Sequence, residues 1–290
     1  MSDTLASLSR RTDAVPPQAF FAVSAVFHYL GPSFAVLLFP AVGVLGVAWL
    51  RIATAALAFA PVTKPWRTIA RADARTRLLL VGLGACLAVM NTAFYLALDR
   101  LPMSLVAAIE FVCTIAVALY GMRTARNLAA LAVTVAGVAI LIDATWTSDP
   151  LGLLWAFANG AMFVGYIVLG HRAARRGAGD GIQNLGAAMA IALVCILPFG
   201  LAQAVVAVSS PKLILAGIGV GICSSVIPYV CDQLAMARLP RESFALMLAL
   251  LPATATVVAA VVLAQIPDAA DLLGIALVMA GIALHRPAAA

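Results

Sequence analysis

A chain of 290 residues with 64% hydrophobic and 10% charged side chains, at a mean hydropathy of +1.08, has too little polar surface to coat a water-soluble globule. The net charge of +6 and pI near 9.4 do not point to nucleic acid, because the basic residues are scattered along the chain rather than gathered in one patch. The composition is that of a multi-pass membrane protein with little soluble mass.

The first 17 residues, MSDTLASLSRRTDAVPP, form a polar tail carrying Arg10 and Arg11. The apolar run behind it is too long for a signal peptide and lacks a clear small-x-small cleavage site, so it reads as a first membrane helix. Polar punctuation then divides the chain into ten expected spans at 18–39, 42–62, 78–98, 103–121, 127–144, 150–170, 183–206, 212–236, 243–264 and 270–285. Such runs are long enough to cross a hydrocarbon core about 30 Å thick. With a cytoplasmic N-terminus, fifteen of the eighteen Lys and Arg residues fall on the inside: the tail, the 64–77, 123–126, 172–176 and 238–241 segments, and Arg286. Only Arg100 and Lys212 fall outside, and Arg51 lies within a span. Positive charge accumulates on the cytoplasmic side, so both termini are expected there.

The chain also repeats itself. ALDRLP (97–102) before the fourth span matches AMARLP (235–240) before the ninth at an offset of 138, and AVTVAGVAIL (132–141) matches ALVMAGIALH (276–285) at an offset of 144. The matches keep their order and cut the ten spans into five plus five. An odd number of spans per copy makes the second copy enter the membrane from the opposite side, an inverted repeat of the kind transporters use to alternate access to a midplane site. The expected organisation is a cytoplasmic tail at 1–17, a first five-helix repeat at 18–144, a second at 150–285, and a cytoplasmic tail at 286–290. The fold class is all-α integral membrane, ten transmembrane helices as two inverted five-helix repeats around a central cavity.

Glu110 is the residue around which a site is expected. An ionised side chain at the centre of a membrane helix costs roughly 2.5 to 3.5 kcal/mol to insert, so acids there generally face a cavity, a partner or a transport path. Met103, Ala107, Glu110, Cys113, Thr114 and Val117 recur at spacings of three and four and share one helix face. Glu110 can exchange a proton or hold a substrate ammonium; the alternative is a structural ion pair, for which Arg51 in the second span is the available cation. In the eighth span Pro228 has no N–H, which leaves the Ser224 carbonyl without its usual helical partner. Asp232 lies a turn further on, either in a transport role or as an interfacial acid near Arg238. Asn91 and Tyr95 share a face of the third span, and Tyr229 and Gln233 repeat that spacing in the eighth, where the offset of 138 places them at equivalent positions. These groups either line a cavity or hydrogen-bond helix to helix at about 0.6 to 2 kcal/mol per contact. His28, Asn159 and Tyr166 are possible additions to the lining.

Several patterns carry no chemistry. Cys86, Cys113, Cys195, Cys223 and Cys231 fall in hydrophobic runs with no CxxC pair and read as small packing residues. His28, His171 and His285 are far apart and show no metal-ligand spacing, and no cofactor motif is present. AGIGVGI (216–222) sits inside a hydrophobic span with no strand before it, so close helix packing explains its glycines better than a nucleotide loop.

The blocks MNTAFYLALDRLPMSLVAAIEF and SSVIPYVCDQLAMARLPRESFALMLALLPA, with the arginine in WLRIATAAL, resemble the drug/metabolite transporter superfamily and, within it, the EamA-type ten-helix transporters, among them exporters of threonine and homoserine. The resemblance runs from about Ala25 to Leu284. It implies export of small amino acids across the bacterial inner membrane in exchange for protons; the expected partners are the substrate, protons and the bilayer, and the expected state is a monomer or homodimer. Acids stand at Glu110 and Asp232, as in the family pattern. Thr114 replaces a proline that often follows the first acid, and Leu251-Pro252 replaces a Glu-Pro of the ninth span, which removes one carboxylate and bears on substrate and coupling. The alternatives are uptake, or efflux of another metabolite or drug, by the same fold. From a different class comes an integral-membrane lipid-handling enzyme, which would cluster His, Asp or Ser groups near one interface.

Overall fold

The computed structural model describes residues 15–121, 124–144, 149–173, 178–236, 247 and 250–285; the side chains of 117–121, 143–144, 171, 178–180, 233 and 236 lie outside that description. The described residues hold helices and no strand. In order they are α1 (Pro17–Val42), α2 (Val44–Thr63), α3 (Pro65–Arg71), α4 (Ala74–Leu98), α5 (Met103–Gly121), α6 (Ala125–Ala144), α7 (Pro150–Ala173), α8 (Ala178–Ala204), α9 (Pro211–Gly221), α10 (Ile227–Met236), α11 (Leu251–Leu263) and α12 (Ala269–Leu284). A 3₁₀ turn at Val205–Ser209 extends α8, and a π turn at Ile222–Val226 joins α9 to α10.

Seven helical stretches among the described residues are long and apolar enough to cross a membrane, where the sequence predicts ten spans. The other three predicted spans coincide with the shorter apolar helices Met103–Ala116, Leu251–Leu263 and Ala269–Leu284. The predicted start of the ninth span and most of the counted cytoplasmic arginines, including Arg10, Arg11, Arg238 and Arg286, lie outside the described residues. Leu57, Val194, Val208 and Val261 are exposed, an apolar exterior suited to lipid rather than water.

Local chemistry explains the boundaries. Gly43, at φ +84°, ends α1 by donating its N–H to the Phe39 carbonyl at 2.8 Å and turns the chain directly into α2. Lys64 closes α2 in the left-handed conformation, and Pro65 opens α3 at its first position, where a missing N–H costs nothing. The short α3, with exposed Trp66 between Lys64 and Arg67, was not predicted from the sequence, since seven residues carry too little periodicity. The Asp73 side chain accepts from the Thr76 N–H at 2.9 Å, so α4 begins at Ala74 rather than at the predicted 78. Asp268 and Asp271 form a reciprocal capping box at the start of α12.

In lipid there is no hydrophobic drive to bring helices together, so close backbone approach at small residues must do so. Helix α6 packs on α12, α2 on α8, α4 on α7, and α1 on the π turn and α10. A Cβ at Gly137 would lie 2.6 Å from the Gly274 carbonyl oxygen and 2.9 Å from the Val278 nitrogen. A Cβ at Gly281 would lie 2.8 Å from the Ala130 carbonyl oxygen and 2.9 Å from the Thr134 nitrogen. Gly281, Gly274 and Val278 are the positions of Gly137, Ala130 and Thr134 plus 144, so each contact is the other with its sides exchanged. Gly46 against Gln203 and Gly186 against Thr63 are related in the same way by 140.

Candidate functional site

The π turn is the local feature from which the site is built. Pro228 lacks an N–H, and its ring would clash with the carbonyl four residues earlier in a regular helix, so the turn before it widens. The Ser224 carbonyl, left without a helical donor, accepts from Arg51 Nη2 at 2.9 Å, and Ser225 Oγ accepts from Arg51 Nε at 2.9 Å. The guanidinium also lies 5.2 Å from the centroid of the Tyr95 ring, within cation–π range. Tyr95 is fully buried, and its hydroxyl stands 3.4 Å from Ser224 Oγ. Arg51 on α2, Tyr95 on α4 and the π turn therefore form one unit spanning both halves of the sequence.

Glu110 is buried on α5, and its Oε2 accepts from Asn159 Nδ2 of α7 at 2.7 Å. The two helices meet there because Gly160 has no side chain: a Cβ would lie 2.6 Å from Cys113 Sγ and 3.3 Å from Glu110 Cα. The Glu110–Arg51 ion pair considered as the structural alternative does not form; among the described residues the ion pair is Arg100–Asp149, at 2.9 Å. The acid thus has a neutral partner.

Asn91 is buried on α4 and uses one amide hydrogen on the Leu87 carbonyl of its own helix at 2.7 Å. Across from it lies Tyr229 of α10, whose buried hydroxyl makes no well-formed hydrogen bond, although the Asn91 amide is close by. These are the two positions that the repeat offset makes equivalent, and they face one another. The Tyr166 ring of α7 stacks obliquely on Tyr229 with centroids 5.9 Å apart. Asp232 accepts from Ser24 Oγ of α1 at 2.5 Å. His28 meets the neighbouring Tyr29 edge-on at 5.4 Å and lies within the field of Arg51.

Of the ten residues singled out from the sequence, nine have described side chains and converge on this region; Gln233 lies outside the described side chains, as does Arg238, the expected neighbour of Asp232. Val117, expected on the Glu110 face, also lies outside them. Ser24, Ser225 and Tyr29 were missed. Their signal was a hydroxyl in an apolar span; Ser24 reaches Asp232 and Ser225 reaches Arg51. Leu251, where the resemblance implies a glutamate, is buried at the start of α11.

A cavity of about 320 Å³ lies at the N-terminal end of α5, lined by Pro102, Ser104, Thr256, Gln265 and Asp271. Ser104 is six residues from Glu110, about 9 Å along the helix axis. Among the described residues no three His, Cys, Asp or Glu side chains come together as a metal-ligand set. What the cluster offers is a buried carboxylate able to take a proton or a cation, a buried guanidinium, and a ring of amide and hydroxyl groups.

Residues 150–285 match the EamA-like transporter family. The chain is 31% identical to the threonine/homoserine exporter RhtA of Salmonella typhimurium strain SL1344 over 253 residues, covering 86% of this chain and 84% of that protein. It is 32% identical to the RhtA exporter of Escherichia coli strain K12 over 254 residues, with the same coverage. One solved crystal structure, 19% identical, superposes with a TM-score of 0.60 over 92% of this chain and 96% of the other, a likeness of fold.

Proposed function

The chain belongs to the EamA-like transporter family, and from that premise we propose that it exports small amino acids of the threonine and homoserine kind across the bacterial inner membrane in exchange for protons. The observation that carries this reading is Glu110: an acid buried between helices, held by the neutral amide of Asn159 rather than by a fixed cation. A carboxylate so placed can be neutralised by a proton or by a substrate ammonium, but not by both at once. Competition between them for one site couples outward substrate to inward proton. Each inward proton carries about 2.3 kcal/mol per 100 mV of membrane potential.

The inverted-repeat organisation, five helices from 18–144 and five from 150–285, is part of the proposal. Its support is the equivalent packing of Gly137 on Gly274 and Gly281 on Ala130, and of Gly46 on Gln203 and Gly186 on Thr63, and the meeting of Asn91 with Tyr229 at equivalent positions. Two similar halves can then exchange inward- and outward-open arrangements around Glu110. The charge distribution supports cytoplasmic termini; on that reading the cavity beside Ser104 faces the outer side, about 9 Å along α5 from Glu110.

The test is efflux of labelled threonine and homoserine from preloaded proteoliposomes, with and without an imposed pH gradient, for the wild type and Glu110→Gln. Gradient-driven efflux that the variant loses supports proton-coupled export. Equal efflux from both at every pH removes Glu110 from the mechanism.

A further inference from the structure

Arg51 is 4% exposed and makes no ion pair among the described residues, an expensive condition for a cation inside a membrane protein. Nε and Nη2 are used on Ser225 and Ser224, but Nη1 is buried and has no hydrogen-bond partner. The Tyr229 hydroxyl is likewise buried and without a well-formed partner, and Arg51 is among its electrostatic neighbours. Two unspent donors, one charged, thus lie buried, on α2 and on the α10 that continues the π turn holding Arg51. Buried donors are rarely left unpaired, and an unpaired one calls for an explanation such as a bound water, ion or solute.

We infer that Arg51 Nη1 and the Tyr229 hydroxyl form a receptor for the carboxylate of the transported solute. A carboxylate supplies the negative charge that Arg51 lacks and two oxygens for the two donors. It also fixes the orientation of a zwitterion, with the carboxylate on Arg51 and the ammonium toward Glu110. The contacts to Ser224, Ser225 and Tyr95 hold the guanidinium in place before the solute arrives, so little ordering remains to be done on binding. Deepening the exporter reading, and resting on it for the identity of the solute, the inference makes the carboxylate a condition of recognition. A site built around buried donors rejects an analogue lacking the matching group far more strongly than an apolar pocket rejects a missing methyl.

The experiment is equilibrium binding to the full-length protein in detergent, with L-threonine, L-homoserine, 3-hydroxybutyrate and L-threoninamide as probes. Threoninamide keeps the ammonium and hydroxyl and loses only the carboxylate; 3-hydroxybutyrate keeps the carboxylate and loses the ammonium. The wild type is expected to bind threonine about ten- to a hundredfold more tightly than its amide, the span of one hydrogen bond to a charged group. Tyr229→Phe removes an oxygen for which the protein supplies no well-formed hydrogen bond, so the fold should be retained. It and Arg51→Lys should weaken the acids about tenfold or more and leave the amide unchanged. Equal weakening of acid and amide, no preference for the acid in the wild type, or no binding of any of the three carboxylates overturns the inference. The two readings fail separately: acid-selective binding without gradient-driven efflux defeats the exporter reading alone, and gradient-driven efflux without acid selectivity defeats the carboxylate receptor alone.

Discussion

Arg51 and Ser224 meet at 2.9 Å, a guanidinium nitrogen on a backbone carbonyl that Pro228, four residues on, cannot serve. The proline thereby ties α2 of the first half to the π turn of the second. Pro228→Ala supplies a competing N–H within the helix. Thermal stability in detergent is expected to hold or rise by up to about 3 kcal/mol, the cost of an interior proline. Efflux is expected to fall as Arg51 loses its anchor. A stable variant with wild-type efflux would show that the tie has no part in transport.

Asn159 is expected to matter through Glu110. Removing the amide by Asn159→Ala leaves a buried carboxylate without its partner, a loss of about 1 to 3 kcal/mol in unfolding free energy. Introduced into Glu110→Gln, where no charge is left behind, the same change should cost less. A double-mutant cycle in thermal unfolding reads the coupling directly, and purely additive losses would show that the 2.7 Å contact contributes nothing.

Gly160→Ala is expected to be destabilising by about 1 to 3 kcal/mol through overpacking against Cys113. Cys113→Ala takes away the sulfur that the new methyl would meet at 2.6 Å, so the double variant should recover part of the loss. The same Tm whether or not the sulfur is present would mean that α5 and α7 do not approach as described.

Asp149, just ahead of α7, titrates outside the membrane. The Gly152 amide, and then the Arg100 guanidinium at 2.9 Å, hold its carboxyl below the ordinary carboxylate range. A depressed value stabilises the fold above the unfolded pKa of about 3.9 and ceases to do so as pH falls through the folded value. Asp149→Asn should therefore lower Tm slightly at pH 7, and the difference should shrink below about pH 4. The partners are 39% and 29% exposed, so added salt should also shrink it. A Tm difference that ignores both pH and salt would rule out a charge effect.

The helical class, the acids and the polar positions were legible because each is a property of a single apolar run. Glu110 stood out as a charge in such a run, and Pro228 announced a free carbonyl at Ser224. What could not be read was pairing across the fold. Arg51 looked like a cation in need of an acid, but its partners are the Ser224 carbonyl and the Ser225 hydroxyl, and nothing in the sequence joins that freed carbonyl to α2. Asn159 could be named as a possible lining residue but not as the partner of Glu110, since that needs α5 and α7 brought together at Gly160. Ser24 was passed over because a lone serine in an apolar helix ordinarily bonds to its own backbone; here it reaches Asp232 instead.

The π turn at Ile222–Val226 also sets an angular register. Each α-helical residue advances the side-chain direction by about 100°, so a turn that absorbs one extra residue lets α10 continue with its faces where a chain one residue shorter would have put them. Tyr229 and Asp232 point toward Asn91 and Ser24 because of that accommodation. Deleting Cys223 from a Pro228→Ala chain should accordingly be tolerated as the turn tightens to α with the downstream faces unrotated, whereas deleting Ala88 from the unbroken α4 should swing Asn91 and Tyr95 away by about 100°. One surplus residue is thus the spacer that keeps the two halves in rotational step.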